Sequence, residues 1–147
     1  MIWAEIEPQR RLWTLSGSRT KNGRAHPVHL SEQAWAVLER MPRSTADVFV
    51  RGRKPFTDFA KAKLELDRLS GVTGWRLHDL RRTAVSGMAR LGVAPHVADK
   101  ILNHQSGTIS GVAAIYQRHE FMAERKVAIE RWGDHLSGIS RTPDLSL

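Results

Sequence analysis

The first thirty positions alternate. In residues 2 to 7 (IWAEIE) and 11 to 16 (RLWTLS), apolar and polar side chains trade places every one or two positions. That is the pattern of short, half-buried strands, and Pro8 marks the turn between them. HPVHL, residues 26 to 30, makes a third strand. Between the second and third lies TKNGR. Asn22-Gly23 is a hairpin signal, because both residue types accept a positive φ, and it puts Lys21 at the tip of a mobile hairpin. Pro27 has no N–H to give a ladder, so its strand lies at an edge or pairs on one side only.

From residue 31 the period lengthens to that of a helix. Ser31 caps a helix carrying Ala34, Val37, Leu38 and Met41 on one face. VFV, 48 to 50, is a short extended piece. Thr57 caps a second helix with the stripe Phe59, Ala62, Leu66 and Leu69, stopped by Gly71. A third helix spans 78 to 92 (HDLRRTAVSGMARLG) and stops at Gly92. At about 100° per residue, Leu77, Leu80, Ala84, Met88 and Leu91 gather on one narrow stripe. Pro95 opens a short helix with Val97, Ala98, Ile101 and Leu102. Thr108 or Ser110 starts a helix bearing Tyr116. A last helix lines up Met122, Ile129, Trp132 and Leu136, and 137 to 147 reads as a loose tail. The expected fold is α+β and mainly α-helical. A small antiparallel three-stranded sheet over 1–30 precedes a helical bundle over 31–136, within one domain.

Composition narrows the function. The chain has 23 Lys and Arg against 15 Asp and Glu, a formal charge of +8 that suits a polyanionic partner. The charge is uneven: no acid lies between Glu7 and Glu32, a window holding Arg10, Arg11, Arg19, Lys21 and Arg24. RGRK, Arg51 to Lys54, is a second basic cluster. Two such clusters suit a surface that follows phosphates, though each is also what a solvated face looks like. There is no cysteine, hence no disulfide framework and no thiolate metal site. No signal peptide and no apolar run of about 18 residues is present. Together these features are those of a cytoplasmic protein.

Candidate chemistry sits on the third helix and near Tyr116. Arg82 points away from the apolar stripe and should be solvated. Arg81 lies at the stripe's margin, one turn after His78. A guanidinium there needs an acceptor: either a carboxylate such as Asp79, or an external anion. Tyr116 is the only tyrosine. Its ring can be a core ring with the hydroxyl at the rim, or its hydroxyl can react. His26 and His29, three apart on a strand, fall on opposite faces, and no cysteine or neighbouring carboxylate completes a zinc set. Walker-type and dinucleotide glycine motifs are absent.

Read in order, three segments carry a resemblance: LHDLRRT at 77 to 83, ILNH at 101 to 104 and IYQRHEF at 115 to 121. Together they resemble the tyrosine recombinases, the phage-type integrases. In that family a His-x-x-Arg on one helix precedes a Leu-Gly-His-like turn, and the tyrosine nucleophile follows about one helix later. RTKNGRAHPVHLS resembles the family's hairpin, with a lysine at the turn before a Val-Pro-Leu-like strand. MIWAEIEPQRRLWTL resembles the strand pair before it, so the likeness runs from residue 1 to about 136.

The resemblance implies roles. Tyr116 attacks a DNA phosphorus, Arg81 holds the non-bridging oxygens, and His78 handles the proton. His104 supports the phosphate, and Lys21 protonates the leaving 5′ oxygen. The basic clusters read from the charge pattern, Arg19, Arg24, Arg51, Arg53 and Lys54, and the solvated Arg82, are then expected to contact the DNA backbone. Double-stranded DNA is the implied partner, held by four protomers around two duplexes, and the chemistry needs neither cofactor nor metal. Three departures stand out. The family's first arginine and its N-terminal DNA-binding domain have no counterpart here, so the expectation is a truncated catalytic domain that cleaves poorly alone. Asn103 stands where the family usually has glycine, at a turn that asparagine also tolerates. The alternative is a non-catalytic DNA-binding module, with residues 84 to 102 as a helix-turn-helix around LGVAP.

Overall fold

The computed structural model describes residues 1–103 and 120–140. The chain is mainly helical with a small sheet at its start, the α+β class expected. β1 (Ile6–Glu7), β2 (Leu12–Leu15) and β3 (His26–His29) form an antiparallel sheet in the order β1–β2–β3. The first strand is shorter than its alternation suggests. Trp3–Glu5 winds into a 3₁₀ turn, because the Glu5 carboxylate reaches back to accept the Ile2 N–H (3.3 Å) and also takes the Trp13 indole N–H (3.0 Å). Among the described residues β3 pairs only with β2, Trp13 opposite Val28 and Leu15 opposite His26, and so lies at the edge that Pro27 requires.

Helix α1 (Glu32–Glu39) starts at Ser31, whose Oγ accepts the Ala34 N–H at 3.3 Å. Residues 50–55 then form a small hairpin, β4 (Val50–Arg51) and β5 (Lys54–Pro55), turning at Gly52 with φ 64°. The basic cluster RGRK is this hairpin, which the periodicity does not announce. α2 (Phe59–Ser70) follows. Asp58 rather than Thr57 precedes it, with its carboxylate taken by Arg51 at 2.9 Å. Gly71, in the left-handed region at φ 69°, closes α2 as expected. α3 (Leu77–Arg90) opens with a capping box in which Asp79 accepts the Arg76 N–H at 2.8 Å. α4 (Pro95–Ile101) begins on Pro95, and α5 (Met122–Ser140) completes the described chain. α5 continues past residue 136, where the sequence pattern ends the helix.

Two cores form. Ile6, Leu30, Leu38 and Val48 pack between the sheet and α1, joined by Trp3, Trp13 and Trp35. Met88, Val97, Ala98 and Ala128 pack between α3, α4 and α5, joined by Phe121 and Trp132. Each fully buried apolar side chain contributes about 1.5–3 kcal/mol. α5 ties the two together. Its Glu130 takes the His29 Nε2–H at 2.8 Å and the Glu32 N–H at 3.2 Å, at the positive end of α1. Its buried Arg125 donates to the Pro27 carbonyl and to the Glu120 carbonyl (3.4 Å).

Two stripes depart from expectation. On α3 only the second half is covered: Met88 is buried, while Leu77 and Leu80 are about half exposed. On α2 the whole stripe is open, and none of its residues is buried. On α5 the buried positions are Arg125, Ala128 and Gly133 rather than a run of large apolar residues, and Leu136 is exposed. No described helix is long and apolar enough to cross a membrane.

Candidate active site

Between the two cores lies a cleft of about 620 Å³. Its walls come from three parts of the chain. One face of the sheet supplies Trp13, Leu15, His26 and Val28, in two cross-strand pairs. The β2–β3 loop supplies Arg19, Thr20 and Lys21. The start of α3 supplies His78 and Arg81, and the end of α4 supplies Ile101, Leu102 and Asn103. Three cations and two imidazoles therefore face one space, and no carboxylate is among the described lining residues. Such a space favours an anion, because no carboxylate among the described lining residues competes for the positive charge, although Arg19 already has a partner behind the wall in Glu5.

The β2–β3 loop holds Lys21 by folding on itself. Gly17–Arg19 make a 3₁₀ turn, and Thr20 to Gly23 a second turn closed by Gly23 N–H to Thr20 C=O at 3.3 Å. The Thr20 hydroxyl reaches both the Gly17 carbonyl (3.0 Å) and the Arg24 carbonyl (2.7 Å). Gly17 must be glycine, since a Cβ there would run into the Gly23 carbonyl. The Asn22-Gly23 signal thus marks a true turn, but within a longer folded loop and not a two-residue hairpin. Nor is the tip loose: Asn22 Nδ2 donates to Asn103 Oδ1 at 2.8 Å.

Arg19 is anchored from behind. It pairs with Glu5, whose carboxyl is held below its ordinary value: burial opposes this, but hydrogen bonds from Trp13 and Arg19 outweigh it. Arg81 and His78 lie one turn apart on α3. Arg81 is half-buried and donates to the Leu102 carbonyl. The carboxylate expected from the sequence is not its partner, because Asp79 goes instead to Arg76 N–H and, at 3.7 Å, to Arg82. A carbonyl orients a guanidinium without neutralising it. Most of the Arg81 donor fork stays available for another acceptor among the described groups.

His26 is a lining residue that sequence reasoning missed. Its Nε2 lies 3.2 Å from the Ile101 carbonyl, so the proton sits on Nε2. Burial, and then the charge of Arg125, lower its pKa, which keeps the ring neutral near pH 7. The signal that finds it is parity: His26 and Val28 share the strand face opposite Leu15 and Trp13.

The other basic positions lie outside the cleft. Arg24, Arg53 and Lys54 are exposed. Arg51 is exposed and paired with Asp58, and Arg82 is exposed with Asp79 as its partner. His104 and Tyr116 lie outside the described residues. The structure therefore brings together Lys21, His78 and Arg81, and adds Arg19 and His26 to them.

A mainly helical α+β chain with a cationic cleft between sheet and bundle is the class of protein these features define. The chain belongs to the phage integrase family, whose model matches residues 1–122. It is 29% identical to the Prophage integrase IntA of Escherichia coli (strain K12), in an alignment covering 90% of this chain and 33% of that protein. The chain thus spans about a third of the length of that relative. No solved structure matches.

Proposed function

We propose that this chain carries the catalytic site of a site-specific recombinase that cuts and rejoins duplex DNA. The observation that carries this reading is the meeting of Lys21, His78 and Arg81, from distant stretches, in one cleft of an integrase-family chain with no carboxylate among its described lining residues. In the reaction the Tyr116 hydroxyl oxygen attacks phosphorus and the bond to the 5′ oxygen breaks. The phenolic proton passes to a base, a role that falls to His78, a lining residue of the same cleft as Arg81. Lys21 supplies the proton that the departing 5′ oxygen needs. The product is a 3′-phosphotyrosyl link and a free 5′ hydroxyl, and rejoining is the reverse.

The physical demands fit these residue types. A phenol with pKa near 10 is a weak nucleophile at neutral pH. It therefore depends on a base and on stabilisation of charge growing at the phosphate. Arg81 offers a planar fork for two oxygens, and His104 would add a donor. Loss of one preorganised donor costs about 3 kcal/mol of transition-state binding. Arg19, Arg24, Arg51, Arg53, Lys54 and Arg82 would follow the DNA backbone, giving binding that falls steeply with salt. Exchange between two duplexes would engage four protomers.

The helix-turn-helix alternative draws less support. α4 is seven residues long. Val97 and Ala98 are spent on packing, and its last turn is spent on contacts to His26 and Arg81. Little of it remains to enter a groove.

The test uses the whole gene product and a nicked duplex carrying its recombination site. The unsubstituted protein should form a covalent protein–DNA band on a denaturing gel, and Tyr116→Phe should abolish it. A covalent band that persists in Tyr116→Phe would overturn the reading.

A further inference from the structure

Three successive residues at the end of α4 are each held by a different element. The Ile101 carbonyl meets His26 of β3 at 3.2 Å, and the Leu102 carbonyl takes Arg81 of α3. Asn103 Oδ1 takes the Asn22 side chain from the β2–β3 loop at 2.8 Å. The last contact is of another kind. It joins two side chains 81 residues apart, and one of them is the neighbour of Lys21.

The orientation of this pair is fixed locally. The Arg24 N–H donates to Asn22 Oδ1 at 3.1 Å, so the amide NH₂ of Asn22 is the end that turns to Asn103. Asn103 itself stands in the left-handed region at φ 53°. Glycine would satisfy that backbone, and asparagine tolerates it. Only asparagine also offers an acceptor to Asn22.

We propose that Asn22 and Asn103 form a latch that positions Lys21 over the scissile phosphate. They are positioning residues, not catalytic ones, and the proposal rests on the recombinase reading above. The latch works through a short relay. Arg81 grips Leu102, Leu102 is bonded to Asn103, Asn103 grips Asn22, and Asn22 is bonded to Lys21. The group that clamps the phosphate and the group that protonates its leaving oxygen are thereby kept in register. Thr20 and Gly17 fix the other side of the loop, so the amide pair sets the remaining freedom of Lys21.

A leaving-group swap tests this. Two nicked duplexes are compared, one ordinary and one with sulfur replacing the 5′ bridging oxygen at the scissile phosphate. A thiolate departs without a proton donor, so the second substrate bypasses Lys21. Lys21→Ala should be slow on the oxygen substrate and restored on the sulfur one. Asn103→Gly keeps the positive φ and removes the latch. It should slow cleavage of the oxygen substrate on the order of tenfold and leave the sulfur substrate nearly unchanged. Asn22→Ala should do the same, and the double variant should be no slower than either single one. Equal slowing of both substrates, or of neither, would overturn the latch while leaving the recombinase reading in place. No covalent link from the unsubstituted protein on either substrate would remove both.

Discussion

Helices α2 and α5 invert what their patterns suggest. α2 carries a clean stripe, Phe59, Ala62, Leu66 and Leu69, and buries none of it: Leu69 is 67% exposed. α5 carries the stripe Met122, Ile129, Trp132 and Leu136, yet the positions it buries are Arg125, Ala128 and Gly133. The difference teaches that periodicity shows where a face is, whereas close approach decides whether that face is covered. α5 approaches closely because it meets small residues. The Trp132 ring occupies the space that a Cβ on Gly87 of α3 would need. Gly133 lies against Gln33 and Ser31 at the start of α1 with no room for a Cβ of its own. Ala128 sits between, 2% exposed. α2 has no such seat among the described residues.

The comparison breaks hardest at the glycine seat. Gly87→Val should force the Trp132 ring out and loosen α5 from α3. The expected loss is about 3 kcal/mol of stability, read as a lower urea midpoint. An unchanged midpoint would mean that α5 is not held by close approach at all.

A smaller effect comes from pH at the junction that α5 guards. His26 has its pKa lowered from 6.5 by burial and by Arg125 on α5. The unfolded chain therefore takes up a proton at a higher pH than the folded one does. The stability that the neutral ring contributes is complete above pH 6.5 and is lost as pH falls from there through the lowered folded value. His26→Gln should flatten the thermal midpoint against pH in the range just below 6.5. If the slope there is the same in both proteins, His26 is not held below its ordinary pKa in the folded chain.

The smallest effect belongs to α2. Leu66→Gln, on a residue 49% exposed, should shift stability by no more than about 0.5 kcal/mol. A loss of several times that, in the same urea titration, would show that the α2 stripe is covered in solution and that the contrast with α5 is false.

Element types were legible because each rests on local chemistry. Ser31, Gly71 and Pro95 start or stop their helices where their residue types say they should. The edge position of β3 follows from Pro27 alone. What could not be read depends on partners without a sequence signature. The acceptors of Arg81 and His26 are backbone carbonyls, and every residue has one. Asn22 and Asn103 are 81 residues apart, and nothing in either neighbourhood names the other. The gathering of Lys21, His78 and Arg81 was expected from the order of motifs rather than from any physical pattern, and the cleft contains all of them. The expected places of His104 and Tyr116 fall outside the described residues.

The carbonyl of Pro27 has one more bearing. A sheet of three strands has an open flank, and an open flank invites a foreign strand to add itself. At this position an incoming strand finds no donor, because proline has none, and an acceptor already engaged by the Arg125 guanidinium. The helix that closes the bundle thus also makes this point of the sheet edge a poor template for a foreign strand.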